Sequence, residues 1–163
     1  MTFAPPVGLA GIKKTYGDFA YQSLRSGMIQ ILGSWQKENI LFVPNVCGTG
    51  LPIQLHRLVV PPFEEALAAA MTACPGYRVR LLAGFCPRQM RELDPAKQAT
   101  APLSVHAWGA AFDVNWDTNP FGRTLRTDLP QAFIAAFTGR GWDWGGAWAH
   151  KKDAMHFQYV KGY

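Results

Sequence analysis

The sequence predicts an α+β fold: a small antiparallel sheet with helices packed on one side. Two stretches read as helices, one after Pro61-Pro62 and one from Asp128 to Thr138. Three others alternate apolar and polar residues as half-buried strands do: Tyr77 to Ala83, Phe112 to Trp116 and Met155 to Tyr159. The chain has 163 residues. At ~100–200 residues per domain, that predicts one domain over 1–163.

In chain order, Pro5-Pro6 and the glycines after them suggest a loosely ordered entry. Tyr21, Leu24, Met28, Ile31 and Trp35 recur at helical spacings, a stripe weakened by Gly27 and Gly33. Ile40 to Val43 reads as a short strand, and Pro44 to Pro52 as a Gly- and Pro-rich loop. After Pro61-Pro62 the helix signals are clearest. Proline suits a first turn because its missing N–H is unpaired there. Glu64 and Glu65 are expected in that turn, alanine fills the middle, and Cys74-Pro75-Gly76 stops the helix. Tyr77, Val79, Leu81 and Ala83 then share one strand face. Asp128 is the expected N-cap of the second helix and Gly139 lies just past its end. In the last two strands the large apolar residues share one face, so Asp113 and His156 lie on the other. If those strands are antiparallel neighbours, the two polar residues converge on one open surface.

Composition is that of a folded soluble chain, 48% hydrophobic and 17% charged, which excludes disordered and collagen-like classes. No apolar run approaches a membrane span. The segment Met1-Thr2-Phe3-Ala4-Pro5-Pro6 lacks the basic and apolar regions of a secretory signal. Cys47, Cys74 and Cys86 are odd in number and form no CxxC pair, so reduced thiols are expected. A net charge of +5 suggests an anionic partner: nucleic acid, a membrane surface or a cell-wall polymer.

HExxH, GxSxG, Walker A and GxGxxG motifs are all absent. What remains is a set of polar residues in aromatic, Gly-rich sequence: Ser104 to Asp113, Trp142 to Trp148 and Asp153 to Phe157. Two histidines and a carboxylate are a common catalytic zinc set, because three protein ligands leave one position for water. A nearby carboxylate must then accept the proton; Asp153 lies three residues from His156. Spacing alone leaves other readings open: packed histidines, a solvent-facing Asp113, and an Asp153 paired with Lys151 or Lys152.

Ser104-x-His106-x-x-Gly109-x-Ala111-x-Asp113 resembles the SxHxxGxAxD motif of the M15 zinc peptidases. Trp144-Gly145-Gly146 with Asp153-x-x-His156-Phe157 resembles that family's WGG…(D/E)xxHF ending. The motif-bearing region is about 81–159. Upstream, Tyr16-Gly17-Asp18 and the Trp35 region resemble the phage L-alanyl-D-glutamate endopeptidase branch.

The resemblance implies a hedgehog/DD-peptidase-like fold, with Zn2+ held on the open face of the sheet by His106, Asp113 and His156, and Asp153 as general base. Gly84-Phe85-Cys86-Pro87-Arg88 resembles the family's segment ending in arginine, so Arg88 is expected to bind the substrate carbonyl and stabilise the oxyanion. Its alternative is an ion pair with Glu92 or Asp94. Ser104 is a substrate-binding or site-supporting candidate, or a cap serine. Cys86 is a remote candidate ligand, and His56 and His150 have no place in the motif.

The implied activity is hydrolysis of a stem-peptide bond in bacterial peptidoglycan by an endolysin-like L-Ala–D-Glu endopeptidase. Alternatives are a D-Ala–D-Ala carboxypeptidase and a non-catalytic zinc module that binds the cell wall or belongs to a virion. No nucleic-acid partner and no membrane span are expected, and a monomer is. Synthesis in the cytoplasm without a signal peptide, followed by phage lysis or virion delivery, would bring the chain to the wall.

Overall fold

The computed structural model describes residues 3–163; Met1 and Thr2, part of the segment read above for a signal, lie outside them. The elements run α1 (Gly8–Tyr16), β1 (Tyr21–Ser23), β2 (Ile29–Ile31), α2 (Trp35–Asn39), β3 (Ile40–Val43), β4 (Ile53–His56), α3 (Val60–Ala73), β5 (Leu82–Ala83), β6 (Ala111–Val114), β7 (Phe121–Gly122), α4 (Gln131–Thr138), β8 (Asp143–Trp144), β9 (Lys152–Asp153) and β10 (His156–Gln158). Short 3-10 turns include Arg25–Gly27 and Val105–Trp108. The main sheet has strand order β5-β6-β10-β8 and is antiparallel throughout. Three two-stranded antiparallel sheets, β1-β2, β3-β4 and β7-β9, surround it.

Alternation in β6 and β10 organises the centre. Phe112 pairs with Phe157 and Asp113 with His156, so the phenyl rings share one face and the polar pair the other. The two rings stack with centroids 5.2 Å apart. Helices α3 and α4 cover that face. Phe63 of α3 lies 4.8 Å from Phe112, and Phe137 of α4 lies 4.9 Å from Phe112 and 5.0 Å from Phe157. Each such aromatic pair contributes about 0.5–1.5 kcal/mol beyond its burial. The fold is thus α+β, with helices behind the sheet and polar side chains in front.

Several expectations are corrected. Helix α3 carries prolines in its first turn, but it starts at Val60, so Glu64 and Glu65 fall beyond that turn. Helix α4 starts at Gln131 behind Pro130. Asp128 does not cap it; its carboxylate accepts hydrogen bonds from Tyr77 Oη and Asn119 Nδ2, both at 2.9 Å. The strand expected over Tyr77 to Ala83 shrinks to β5. The N–H groups of Arg80 and Leu81 donate to the Asn115 side chain at 2.8 and 3.0 Å, not to a neighbouring strand.

The stripe from Tyr21 to Trp35 is not a helix. Ser26 (φ 62°) and Gly27 (φ 74°) reverse the chain, and β1 and β2 form a hairpin. Tyr21, Leu24 and Met28 are exposed, so their spacing serves no core. The amino-terminal entry is ordered instead of loose: α1 buries Ile12 and Tyr16, and Gly8 N–H donates to Lys161 O. Tyr16 donates its hydroxyl to Tyr159 O at 2.7 Å, while its carbonyl accepts from Trp35 Nε1 at 3.0 Å. Trp108 Nε1 donates to Gly17 O at 3.1 Å. The Tyr16-Gly17 pair therefore joins α1, α2 and the Val105–Trp108 turn.

Candidate metal centre and catalytic cleft

His106 is placed by two backbone tethers. Gly84 follows β5 so closely against β4 that a Cβ there would meet Gln54 O at 2.1 Å. Phe85 N–H donates to Gln54 O, and Cys86 N–H donates to His106 O. The imidazole then donates Nδ1–H to Gly84 O at 2.7 Å. Gly109 (φ 66°) ends the Val105–Trp108 turn in the left-handed region, where its missing Cβ also avoids His56 N at 2.6 Å.

His156 and Asp113 face each other across β10 and β6. His106 Nε2, His156 Nδ1 and Asp113 Oδ1 form a triangle with all three edges 3.1 Å. His156 Nε2 sits 3.1 Å from Gln158 Oε1, whose acceptor oxygen requires that nitrogen to carry the proton. Gln158 is itself held by Tyr163 O at 3.1 Å. With both ring protons directed outward, the triangle consists of three lone-pair atoms. Such an arrangement repels itself unless a cation or an added proton occupies it. Tetrahedral bonds of about 2.0–2.1 Å place N and O donors about 3.3 Å apart, so the donor set fits a zinc-sized ion. Cys86 lies outside this cluster.

Asp153 is held beside the triangle by glycine packing. A Cβ at Gly145 would meet Asp153 O at 2.6 Å and Asp153 Cβ at 2.9 Å, and one at Gly146 would meet the Trp144 ring at 2.2 Å. Trp144 Nε1 donates to Ala154 O at 2.8 Å, fixing the turn between Asp153 and His156. Lys151 pairs with Glu92, and Lys152 donates to Trp148 O, so neither lysine neutralises Asp153. Its Oδ1 is buried and accepts no hydrogen bond among the described residues.

The two carboxyls are pushed apart. Burial raises Asp153 above the usual carboxylate range, against the opposing pull of His156. Burial also pushes Asp113 upward, but His106 and His156, once a proton is shared into the triangle, outweigh it and hold that carboxyl well below its ordinary value. A lowered Asp113 suits a charged ligand, and a raised Asp153 suits a group that exchanges protons.

Arg88, Ser104, Asp153 and His156 line one cleft. Arg88 is clamped through its backbone: its carbonyl accepts from Ser104 N–H at 2.9 Å, and the neighbouring Pro87 O accepts from Ile29 N–H. Glu92 is taken by Lys151, and Asp94 caps the Pro95–Thr100 turn through Ala96 N–H. Neither expected ion-pair partner is therefore engaged with Arg88. Ser104 Oγ accepts from His106 N–H at 3.3 Å, serving as the turn's cap while facing the cleft. His150 is exposed, and His56 is buried far along the chain against Tyr16.

Gln158 is the site residue that sequence reasoning missed. It sits two positions after His156 and so on the same strand face; that period was the available signal. Residues 97–159 match a peptidase M15 family model described as D-alanyl-D-alanine carboxypeptidase. No curated protein matches the chain, and no solved structure does.

Proposed function

We propose, from the match of residues 97–159 to the M15 peptidase family, that the chain is a zinc-dependent hydrolase of bacterial peptidoglycan that cuts the L-Ala–D-Glu bond of the stem peptide. The observation that carries this reading is the 3.1 Å triangle of His106, Asp113 and His156, whose outward ring protons leave three lone pairs facing one point. Zinc bound there supplies the Lewis acidity that makes water a nucleophile near neutral pH.

The chain's own residues supply the rest. Asp153, raised by burial and unpaired at Oδ1, takes a proton from the attacking water and passes it to the departing amine. Arg88 faces the cleft with its backbone fixed on both sides, so its guanidinium meets the charge that develops on the carbonyl oxygen. Ser104 supports His106 from the amino-terminal side of its turn. The net charge of +5 suits an anionic envelope. We take the working form to be a monomer that reaches the wall by phage lysis or virion delivery.

The L-Ala–D-Glu assignment rests on the similarity of Tyr16-Gly17-Asp18 and Trp35 to the phage enzymes; of these, Trp35 donates its Nε1–H to Tyr16 O at 3.0 Å. D-Ala–D-Ala carboxypeptidase activity is the second reading, favoured by the description of the matching family model. Mass spectrometry of digested walls separates them: new D-Glu amino termini support the first, released D-alanine the second. Asp153→Ala is expected to lower turnover by about 10²–10⁴-fold, the usual worth of a positioned base, while zinc content measured by metal analysis stays at the wild-type level. Near wild-type cleavage by that variant would remove Asp153 from the mechanism. Bound zinc without any hydrolysis would favour a wall-binding module instead.

A further inference from the structure

The cleft beside the triangle is unevenly charged. Arg88, Arg91 and Lys151 line it, against Asp153 as its one carboxylate. Their circumstances differ. Arg88 faces the reacting centre, and Lys151 is tied to Glu92 at 3.6 Å and to Arg91 O at 3.4 Å. The Arg91 side chain is exposed, and among the described residues its guanidinium has neither a hydrogen bond nor an ion pair. Arg91 and Phe121 are also the two residues that this cleft shares with the neighbouring groove holding Asp113 and Trp116. Arg91 therefore stands where an extended ligand would leave the catalytic cleft.

A free guanidinium at such an exit suits a planar anion. Arginine presents a fork of N–H donors that matches a carboxylate in a bidentate way. Stem peptides carry carboxylates close to their scissile bonds: the α-carboxylate of a D-Glu linked through its γ-carboxyl, and the carboxy-terminal group of D-alanine. We propose that Arg91 is a specificity-determining residue that binds a free substrate carboxylate next to the scissile bond, so that peptides whose carboxylate is amidated are disfavoured. This rests on the stem-peptide reading above.

The test uses the full chain, zinc-loaded, as the Asp153→Asn protein and as the Asp153→Asn/Arg91→Gln protein, so that peptides bind without turnover. The probe is the pentapeptide L-Ala-γ-D-Glu-L-Lys-D-Ala-D-Ala in three forms: unmodified, amidated at the D-Glu α-carboxyl, and amidated at the carboxy terminus. Calorimetry is expected to show about a tenfold weaker Kd for one amidated form with Arg91 present, the scale of one charge-assisted contact. The doubly substituted protein, which lacks the guanidinium, is expected to bind all three forms within about twofold of one another on that scale. Loss of affinity on D-Glu amidation identifies the α-carboxylate as the ligand, and loss on carboxy-terminal amidation identifies D-alanine. Equal binding of the three forms by the protein that retains Arg91, or discrimination that survives Arg91→Gln, overturns the proposal. Cleavage by the unsubstituted enzyme is read separately. Discrimination without cleavage of any form refutes the peptidase reading and leaves the carboxylate site; cleavage with equal binding does the reverse.

Discussion

His106 and His156 offer different ring nitrogens to the same point, and the reason lies in what holds the other nitrogen. His106 gives its Nδ1 proton to a backbone carbonyl, Gly84 O, so Nε2 faces Asp113. His156 gives its Nε2 proton to a side chain, Gln158 Oε1, so Nδ1 faces Asp113. The first arrangement is built into the backbone, whereas the second depends on one amide. Gln158→Leu removes that acceptor, leaves the His156 ring free to change tautomer, and strands the Tyr163 carbonyl it capped. Zinc affinity is expected to fall about 10–100-fold, as for other partners that orient metal-ligating histidines. Gln158→Glu keeps an acceptor at the same reach and is expected to hold affinity near the wild-type value. Competition with a chromophoric chelator measures both. Unchanged affinity in the leucine variant would mean that the Trp148 ring, 5.3 Å away, orients His156 instead.

Among the elements, the Val105–Trp108 turn has the hardest task, because it must present His106 from outside the sheet. It is anchored behind by β4: His56 N–H donates to Gly109 O at 2.9 Å, and the His56 ring donates Nε2–H to Tyr16 O while Nδ1 accepts from Leu58 N–H. That ring is neutral in the fold. Burial lowers its pKa to about 4, against the raising effect of the Tyr16 carbonyl and with a small further lowering from Arg57. Unfolded histidine titrates near 6.5, so between roughly pH 6.5 and 4 the unfolded chain binds more protons than the folded one. Stability from this residue is therefore complete above about pH 6.5 and is lost as pH falls towards 4, by up to about 3 kcal/mol. Urea unfolding at pH 7 and pH 4.5 is expected to show a steeper loss for the wild type than for His56→Gln, whose amide does not titrate. Parallel losses would show that carboxylates elsewhere govern the acid sensitivity.

For the whole molecule, the two halves of the chain differ in how openly the sequence declares them. The pairing of Asp113 with His156 is legible because Phe112 and Phe157 flank each with strict alternation, and one buried face fixes register. The amino-terminal part is not. The spacing of Tyr21, Leu24 and Met28 mimics a helix although these side chains are exposed. Helix α1 is only nine residues long, carries Gly8 and Gly11, and buries just Ile12 and Tyr16, so its apolar face is too short to stand out in the sequence. Its position is set by contacts distant in sequence, such as Tyr16 to Tyr159, which no local pattern contains. This division bears on what a metal in the triangle would do for the fold. Phe63, Phe112, Phe133, Phe137, Trp142 and Phe157 close a core behind the sheet that involves none of the triangle's atoms. Removing zinc should therefore leave the structure standing while restoring lone-pair repulsion in front. At free zinc about 1,000 times its Kd, binding adds about 4 kcal/mol, and at about 2–4 °C per kcal/mol for a chain of this size chelation is expected to lower Tm by about 10 °C. The near-UV circular dichroism of the buried aromatics should persist at 25 °C, and hydrolysis should cease and return on adding zinc. Loss of the near-UV signal on chelation would make the ion a structural element, and an unchanged Tm would mean that no ion occupies the triangle.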